Sequence, residues 1–256
     1  MPKKPSLLID INGVLYTDNK PIKGAAETID FLRNGGYRFR FISNATQSCR
    51  KTLHKKLLDF GFNIKEEEIF SAPVATARYI KEKKKKKCFL LATGDVYKDF
   101  IREGIRLTDS DPDHVVVGDA GKDYTYENMN KAFNLLLEGA GLIAMEEDRY
   151  WLSPQGLALC AGPYVRALEY ATGKEATLIG KPSRRFLSLA LKDMKAQAKD
   201  TIAIGDDPIT DILGPKRLGM KTVLVKTGKY RTGMETKTKP DAVLDSIADL
   251  GKILSQ

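Results

Sequence analysis

The sequence predicts an α/β protein: a doubly wound, Rossmann-like parallel sheet with a second α/β domain inserted into it. Three observations carry this expectation. Short apolar runs alternate with amphipathic stretches of helical spacing, the pattern of parallel strands joined by crossover helices. The runs also end repeatedly in polar or glycine residues, and the whole pattern restarts midway along the chain.

The first run, Leu7 to Ile9, is long enough for a buried strand and far too short for a membrane segment. It ends at Asp10, and Gly13 shortly after lets the backbone turn. Helical spacing follows over Gly24 to Asn34 and stops at Gly35-Gly36. Arg38 to Ile42 reads as a second strand ending at Ser43-Asn44, and Ser48 to Phe60 as a second helix. A helix beginning near Ser71 runs out into the lysine tract Lys83 to Lys87. The pattern then restarts. Cys88 to Leu91, His114 to Val117 and Gly141 to Ala144 read as strands, Tyr126 to Leu137 and Pro163 to Ala171 as helices. Residues 76–175 are therefore expected to form the inserted domain, and 1–75 with 176–256 the core. The core resumes with strands at Thr177 to Ile179, Thr201 to Ile204 and Thr222 to Val225.

At 256 residues and 42% hydrophobic, the chain can build a real core, which excludes a disordered protein. The net charge of +9 owes much to Lys83 to Lys87, read as a solvated helix end in preference to a nucleic-acid patch. Three cysteines without metal or Cys-x-x-Cys spacing read as reduced thiols. Met1 to Pro5 lacks a signal-peptide apolar region and no run approaches a membrane span, so the expected location is cytoplasmic, with the nucleus as the alternative.

Four expected strand ends carry reactive groups: Asp10, Ser43-Asn44, Lys181 and Asp206, with Asp211 five residues further on. Strands lying side by side in one sheet would bring these together in a single crevice, because ligands bind at the carboxyl ends of such strands. Hard carboxylate oxygens without a His or Cys cluster suit Mg²⁺ rather than zinc. Asp207 reads equally well as a helix cap. Other chemistries lack their motifs. Glu175 and Pro182 spoil a P-loop around Gly180-Lys181, no Gly-x-Ser-x-Gly elbow occurs, and His54 and His114 have no metal or triad spacing.

Taken together, Asp10 to Leu15, Phe41 to Asn44, Gly180 to Ser183 and Gly205 to Asp211 resemble, in order and spacing, the four motifs of haloacid dehalogenase superfamily phosphatases bearing the larger α/β cap. Further segments (Gly118 to Gly121 with Tyr126 to Asn130, Gly162 to Tyr170, Val225 to Arg231) are similar to a subgroup associated with pyrophosphate and phosphoramidate substrates. The resemblance implies that Asp10 attacks phosphorus and forms an aspartyl-phosphate. It implies that Asp10, the Asn12 carbonyl and Asp206 hold Mg²⁺, with Asp211 supporting or ligating. Ser43, the Asn44 amide and Lys181 would bind phosphoryl oxygens. The cap would choose the substrate, a small phosphorylated molecule, pyrophosphate or a phosphorylated protein side chain, and would pair two copies into a homodimer; neither nucleic acid nor a membrane is an expected partner. The loop Glu146 to Leu152 is expected either to face the crevice or to be an exposed hairpin anchored by Trp151.

One position departs from the family pattern. Asn12 stands where the first motif has a second Asp, the residue that protonates the leaving oxygen and then activates water. Asn cannot exchange a proton at neutral pH. Losing that help costs on the order of 10²–10⁴ in rate, least for leaving groups that depart unaided, such as pyrophosphate or a protonated phosphoramidate nitrogen. The expected activity is therefore a Mg²⁺-dependent phosphohydrolase favouring those substrates. The second reading is a silent relative that binds a phosphorylated ligand or protein.

Overall fold

The computed structural model describes residues 4–153 and 156–254, so Met1-Pro2-Lys3 of the N-terminal reading lie outside the described residues. In chain order the strands are β1 (Ser6–Asp10), β2 (Tyr16–Thr17), β3 (Lys20–Pro21), β4 (Arg38–Ser43), β5 (Ile69–Ser71), β6 (Lys87–Leu91), β7 (Arg106–Leu107), β8 (His114–Val117), β9 (Gly141–Ala144), β10 (Tyr150–Ser153), β11 (Gly156–Leu159), β12 (Thr177–Leu178), β13 (Thr201–Gly205), β14 (Lys221–Val225) and β15 (Ala242–Leu244). The chain forms two units. One comprises Met1–Ser43, Leu53–Phe70 and Lys181–Gln256, the other Asn44–Thr52 and Ser71–Gly180.

The first unit is built on a six-stranded sheet of order β15-β14-β13-β1-β4-β5. β1 pairs in parallel with both β13 and β4, and β14 and β15 continue the sheet in parallel. From β1 the chain builds outward to β4 and β5 on one side, and later to β13, β14 and β15 on the other. β1 is thus the switch point at which strand order reverses. Every residue of β1 is buried, as expected of a central strand covered on both faces. Its core joins Leu7, Ile9 and Phe41 to Leu53 and Leu57 of the helix Arg50–Asp59 and to Ile29 and Leu32 of the helix Ala25–Asn34. Burying one such aliphatic side chain stabilises a fold by about 1.5–3 kcal/mol, so this apolar layer is what holds β1 and its terminal carboxylate in place.

The second unit is an α/β structure of its own, with a five-stranded sheet of order β12-β9-β8-β6-β7. Val115, Val117, Leu142 and Ala144 pack with Leu135, Leu136, Val165 and Leu168 from the helices Tyr126–Leu137 and Ala161–Thr172. Here one sequence expectation is corrected. The strand at Thr177–Leu178 does not resume the first sheet but pairs in parallel with β9. A two-residue strand carries no local signal of its partner, and this one lies where the chain leaves the second unit. Consequently Lys181 is not at the end of a strand in the same sheet as Asp10.

The loop after β9 is a hairpin, with β10 and β11 antiparallel. Trp151 is 41% exposed and Tyr150 60% exposed, so Trp151 does not anchor it. No helix of the described residues is long and apolar enough to cross a membrane.

Candidate active site

Three neighbouring strands of the first sheet deliver three of the expected residues. Asp10 ends β1, Asp206 follows β13 directly, and Ser43 ends β4 one residue beyond Ile42, the register partner of Asp10. All three are buried. Asn44 is half-buried and begins the segment assigned to the second unit. Asn12 is exposed, two residues past β1, and makes a bridge to Tyr16.

Lys181 reaches the same place from outside the sheet. It precedes Ser183, whose hydroxyl oxygen accepts from the Phe186 amide at 3.1 Å and caps the helix Arg184–Met194. Phe186, Leu187 and Ala190 bury that helix, fixing the segment that carries Lys181. The ammonium donates to Asp10 Oδ1 at 2.5 Å and to Asp211 Oδ1 at 2.7 Å. Asp211 lies in a wide π-helical turn, Pro208–Leu213, capped by Asp207, whose Oδ1 accepts from the Ile209 and Thr210 amides. The cap role of Asp207 is therefore observed. The amide of Asp207 in turn donates to Asp211 Oδ2 at 3.1 Å.

Glycine makes this packing possible. A Cβ on Gly13, where φ is +87°, would lie 2.2 Å from Asp206 Oδ2, and one on Gly205 would lie 2.2 Å from the Cβ of Asp211. Any side chain at either position would displace a carboxylate.

The electrostatics suit a bound cation. Three buried carboxylates, Asp10, Asp206 and Asp211, offer oxygens all within 4.8 Å of one another. Set against the single ammonium of Lys181, they would leave two negative charges uncompensated if all were ionised. Burial, reinforced by Asp211 and Asp206 and opposed by Lys181, pushes Asp10 up to about 8. Burial and Asp211 push Asp206 up to about 7. Burial works to lower Lys181, but Asp10 and Asp211 outweigh it and raise its pKa, so it remains an ammonium. An all-oxygen, buried, electron-rich donor set of this kind fits a hard divalent cation.

Sequence reasoning did not single out the loop after β14 as part of the site, although Val225 to Arg231 entered as a family-like segment. The Thr227 hydroxyl donates to the Gly13 carbonyl, and the Lys229 amide donates to Asp206 Oδ2 at 2.6 Å. Glycine flanked by Thr and Lys after an apolar run was the available signal.

A buried carboxylate cluster with a lysine, at the switch point of a parallel sheet interrupted by an inserted α/β unit, defines an enzyme of the capped phosphatase class. Residues 7–106 match the family described as haloacid dehalogenase-like hydrolase, and residues 178–250 match a second described as HAD-hydrolase-like. Haloacid dehalogenase-like hydrolase domain-containing protein 2 of Bos taurus is 40% identical over 92% of this chain and 89% of its own length. Phospholysine phosphohistidine inorganic pyrophosphate phosphatase of Xenopus laevis is 36% identical, over 97% and 94%. Among solved structures, the p-nitrophenyl phosphatase from Archaeoglobus fulgidus superposes with a TM-score of 0.91 at 30% identity, covering 98% of this chain and all of that one. The chain belongs to the haloacid dehalogenase-like hydrolases, with the fold of the family's capped phosphatases.

Proposed function

We propose that the protein is a Mg²⁺-dependent phosphohydrolase working through an aspartyl-phosphate on Asp10 and favouring pyrophosphate and P–N substrates. The observation that carries this reading is the buried set of Asp10, Lys181, Asp206 and Asp211 at the carboxyl edge of the sheet. Asp10, Asp206, Asp211 and the Asn12 carbonyl would hold the cation. When bound, it supplies the positive charge that keeps Asp10 ionised and lets two anions, carboxylate and phosphate, approach each other.

Asp10 uses a carboxylate oxygen to form a new O–P bond while the bond to the leaving group breaks and its electron pair departs with that group. Lys181, already pointing at Asp10, and Ser43 and the Asn44 amide take the phosphoryl oxygens as their charge redistributes. Water then attacks the phosphoryl group, the O–P bond to Asp10 breaks with its electron pair returning to the carboxylate, and the proton given up by the water leaves on the released phosphate. Asn12 can neither deliver a proton to the leaving atom nor take one from that water. The reaction therefore favours substrates whose leaving group needs no proton in flight. The similarity to a phospholysine phosphohistidine inorganic pyrophosphate phosphatase supports the same choice.

The test is phosphate release from pyrophosphate, phospholysine, phosphohistidine, a sugar phosphate and phosphoserine, with Mg²⁺ and with excess chelator. The expected result is Mg²⁺-dependent release from the first three well above the last two. Equal turnover of all five, or release that persists under chelation, contradicts the reading.

A further inference from the structure

The loop after β14 meets the site at Gly13, at Asp206 and at Asp207. Thr227 donates its hydroxyl to the carbonyl of Gly13, a residue 214 positions away. Gly228, at φ +61°, passes so close that a Cβ there would lie 2.1 Å from Asp206 Oδ2 and 2.6 Å from the Gly13 Cα. Lys229 gives its amide to Asp206 Oδ2 at 2.6 Å and its ammonium to Asp207 Oδ2 at 3.1 Å, the carboxylate that caps the Asp211 turn.

Gly13 is the weak point of the loop that leaves β1. At φ +87° and without a Cβ, its flanking peptide planes can rotate at little cost. Three hydrogen bonds oppose this, one of them from the Val14 amide, on the peptide after Gly13, to the Ile11 carbonyl at 3.4 Å. The Gly13 amide donates to the Tyr16 carbonyl at 2.7 Å, and the Gly13 carbonyl is held by Thr227. The Gly13 amide bond fixes the peptide whose carbonyl belongs to Asn12; the Thr227 and Val14 bonds fix the peptide that follows. Of the three, only the Thr227 bond comes from a side chain, and only it ties this loop to a segment distant in sequence, the one whose Lys229 amide donates to Asp206.

We propose that Thr227 is a positioning residue for the divalent cation, keeping the Asn12 carbonyl in register with the oxygens of Asp10, Asp206 and Asp211. This rests on the Mg²⁺-dependent reading above. Groups that orient metal ligands without touching the metal change affinity by about 10–100-fold when removed, whereas a hydroxyl that only satisfies a loop carbonyl would alter metal-free stability and leave affinity alone.

The experiment measures Mn²⁺ binding, by the paramagnetic resonance signal of free Mn²⁺, to wild type, Thr227→Val and Thr227→Ser, alongside thermal unfolding of each without metal. Val is nearly isosteric and lacks the donor; Ser keeps the donor and loses a methyl group. The expected result is binding weaker by about tenfold or more in Thr227→Val and restored in Thr227→Ser, as for a ligand-orienting group, with metal-free unfolding close to wild type in both. Wild-type affinity in Thr227→Val overturns the proposal, as does equal weakening in Thr227→Ser. If Thr227→Val does not fold, Thr227→Ser decides: weakened Mn²⁺ binding despite a retained hydroxyl overturns it, and wild-type binding supports it. Wild-type protein that binds no Mn²⁺ overturns the metal-dependent reading itself, an outcome distinct from the others.

Discussion

At the level of single residues, the proposed substrate preference turns on Asn12. Its exposed amide stands two residues beyond Asp10 and cannot serve as an acid or a base. Asn12→Asp restores a carboxyl group with little change in volume and leaves the backbone carbonyl in place. The expected gain is selective: sugar and serine phosphates, with basic leaving oxygens, should improve at least about tenfold relative to pyrophosphate, about 1.4 kcal/mol of barrier and well within what acid–base catalysis supplies. Because a new carboxylate beside Asp10 also repels an anionic substrate, the ratio of kcat/KM gains across pH is the quantity to compare. An equal change for both substrate classes would show that position 12 takes no part in proton transfer. Asp10 and Asp206 were legible as carboxylates at the ends of apolar runs, and Asn12 through the resemblance to the family's first motif. The contribution of Thr227 was not, since it depends on a contact across most of the chain's length.

At the scale of elements, β8 carries an unpaired group. His114 begins that strand opposite Gly141 of β9, and a Cβ on Gly141 would lie 3.1 Å from its Nδ1. Both ring nitrogens are buried with no hydrogen-bond partner. Burial lowers the His114 pKa, with Asp113 opposing and Lys85 and Lys83 adding to the effect. The folded state therefore resists protonation. Its stability is complete above the unfolded-state value near 6.5 and falls as pH drops through the lower folded value. His114→Leu removes both orphaned nitrogens and should stabilise the protein by about 1 kcal/mol or more at neutral pH. Urea unfolding at pH 8 and pH 5 checks this: the gain should be larger at pH 5, and an equal gain or a loss there would show that His114 is paired in solution. The pairing of β12 with β9 and the π-helical turn that presents Asp211 were not legible for a related reason. Both are fixed by partners distant in sequence, and their local apolar pattern suits several structures equally.

At the scale of the whole molecule, alternating apolar runs and helical spacings were enough to give a parallel sheet and a second α/β unit, because both periods follow directly from burial. The sequence also placed Asp10 and Asp206 at strand ends, and the register of β1 between β13 and β4 makes them neighbours. The route of Lys181 was harder to read. It follows a strand of the second sheet and is held by the helix Arg184–Met194, so no run leading into it belongs to the sheet of Asp10.

The proposed phosphohydrolase stands or falls on Asp10 being a nucleophile rather than one acidic wall of a binding site. The most direct measurement is phosphate release from pyrophosphate with Mg²⁺ by wild type and by Asp10→Asn, each shown by circular dichroism to be folded. Steady release by wild type and none above background for Asp10→Asn is the expected result, because an amide cannot form the acyl-phosphate bond. Undiminished release by the folded Asp10→Asn protein would contradict it.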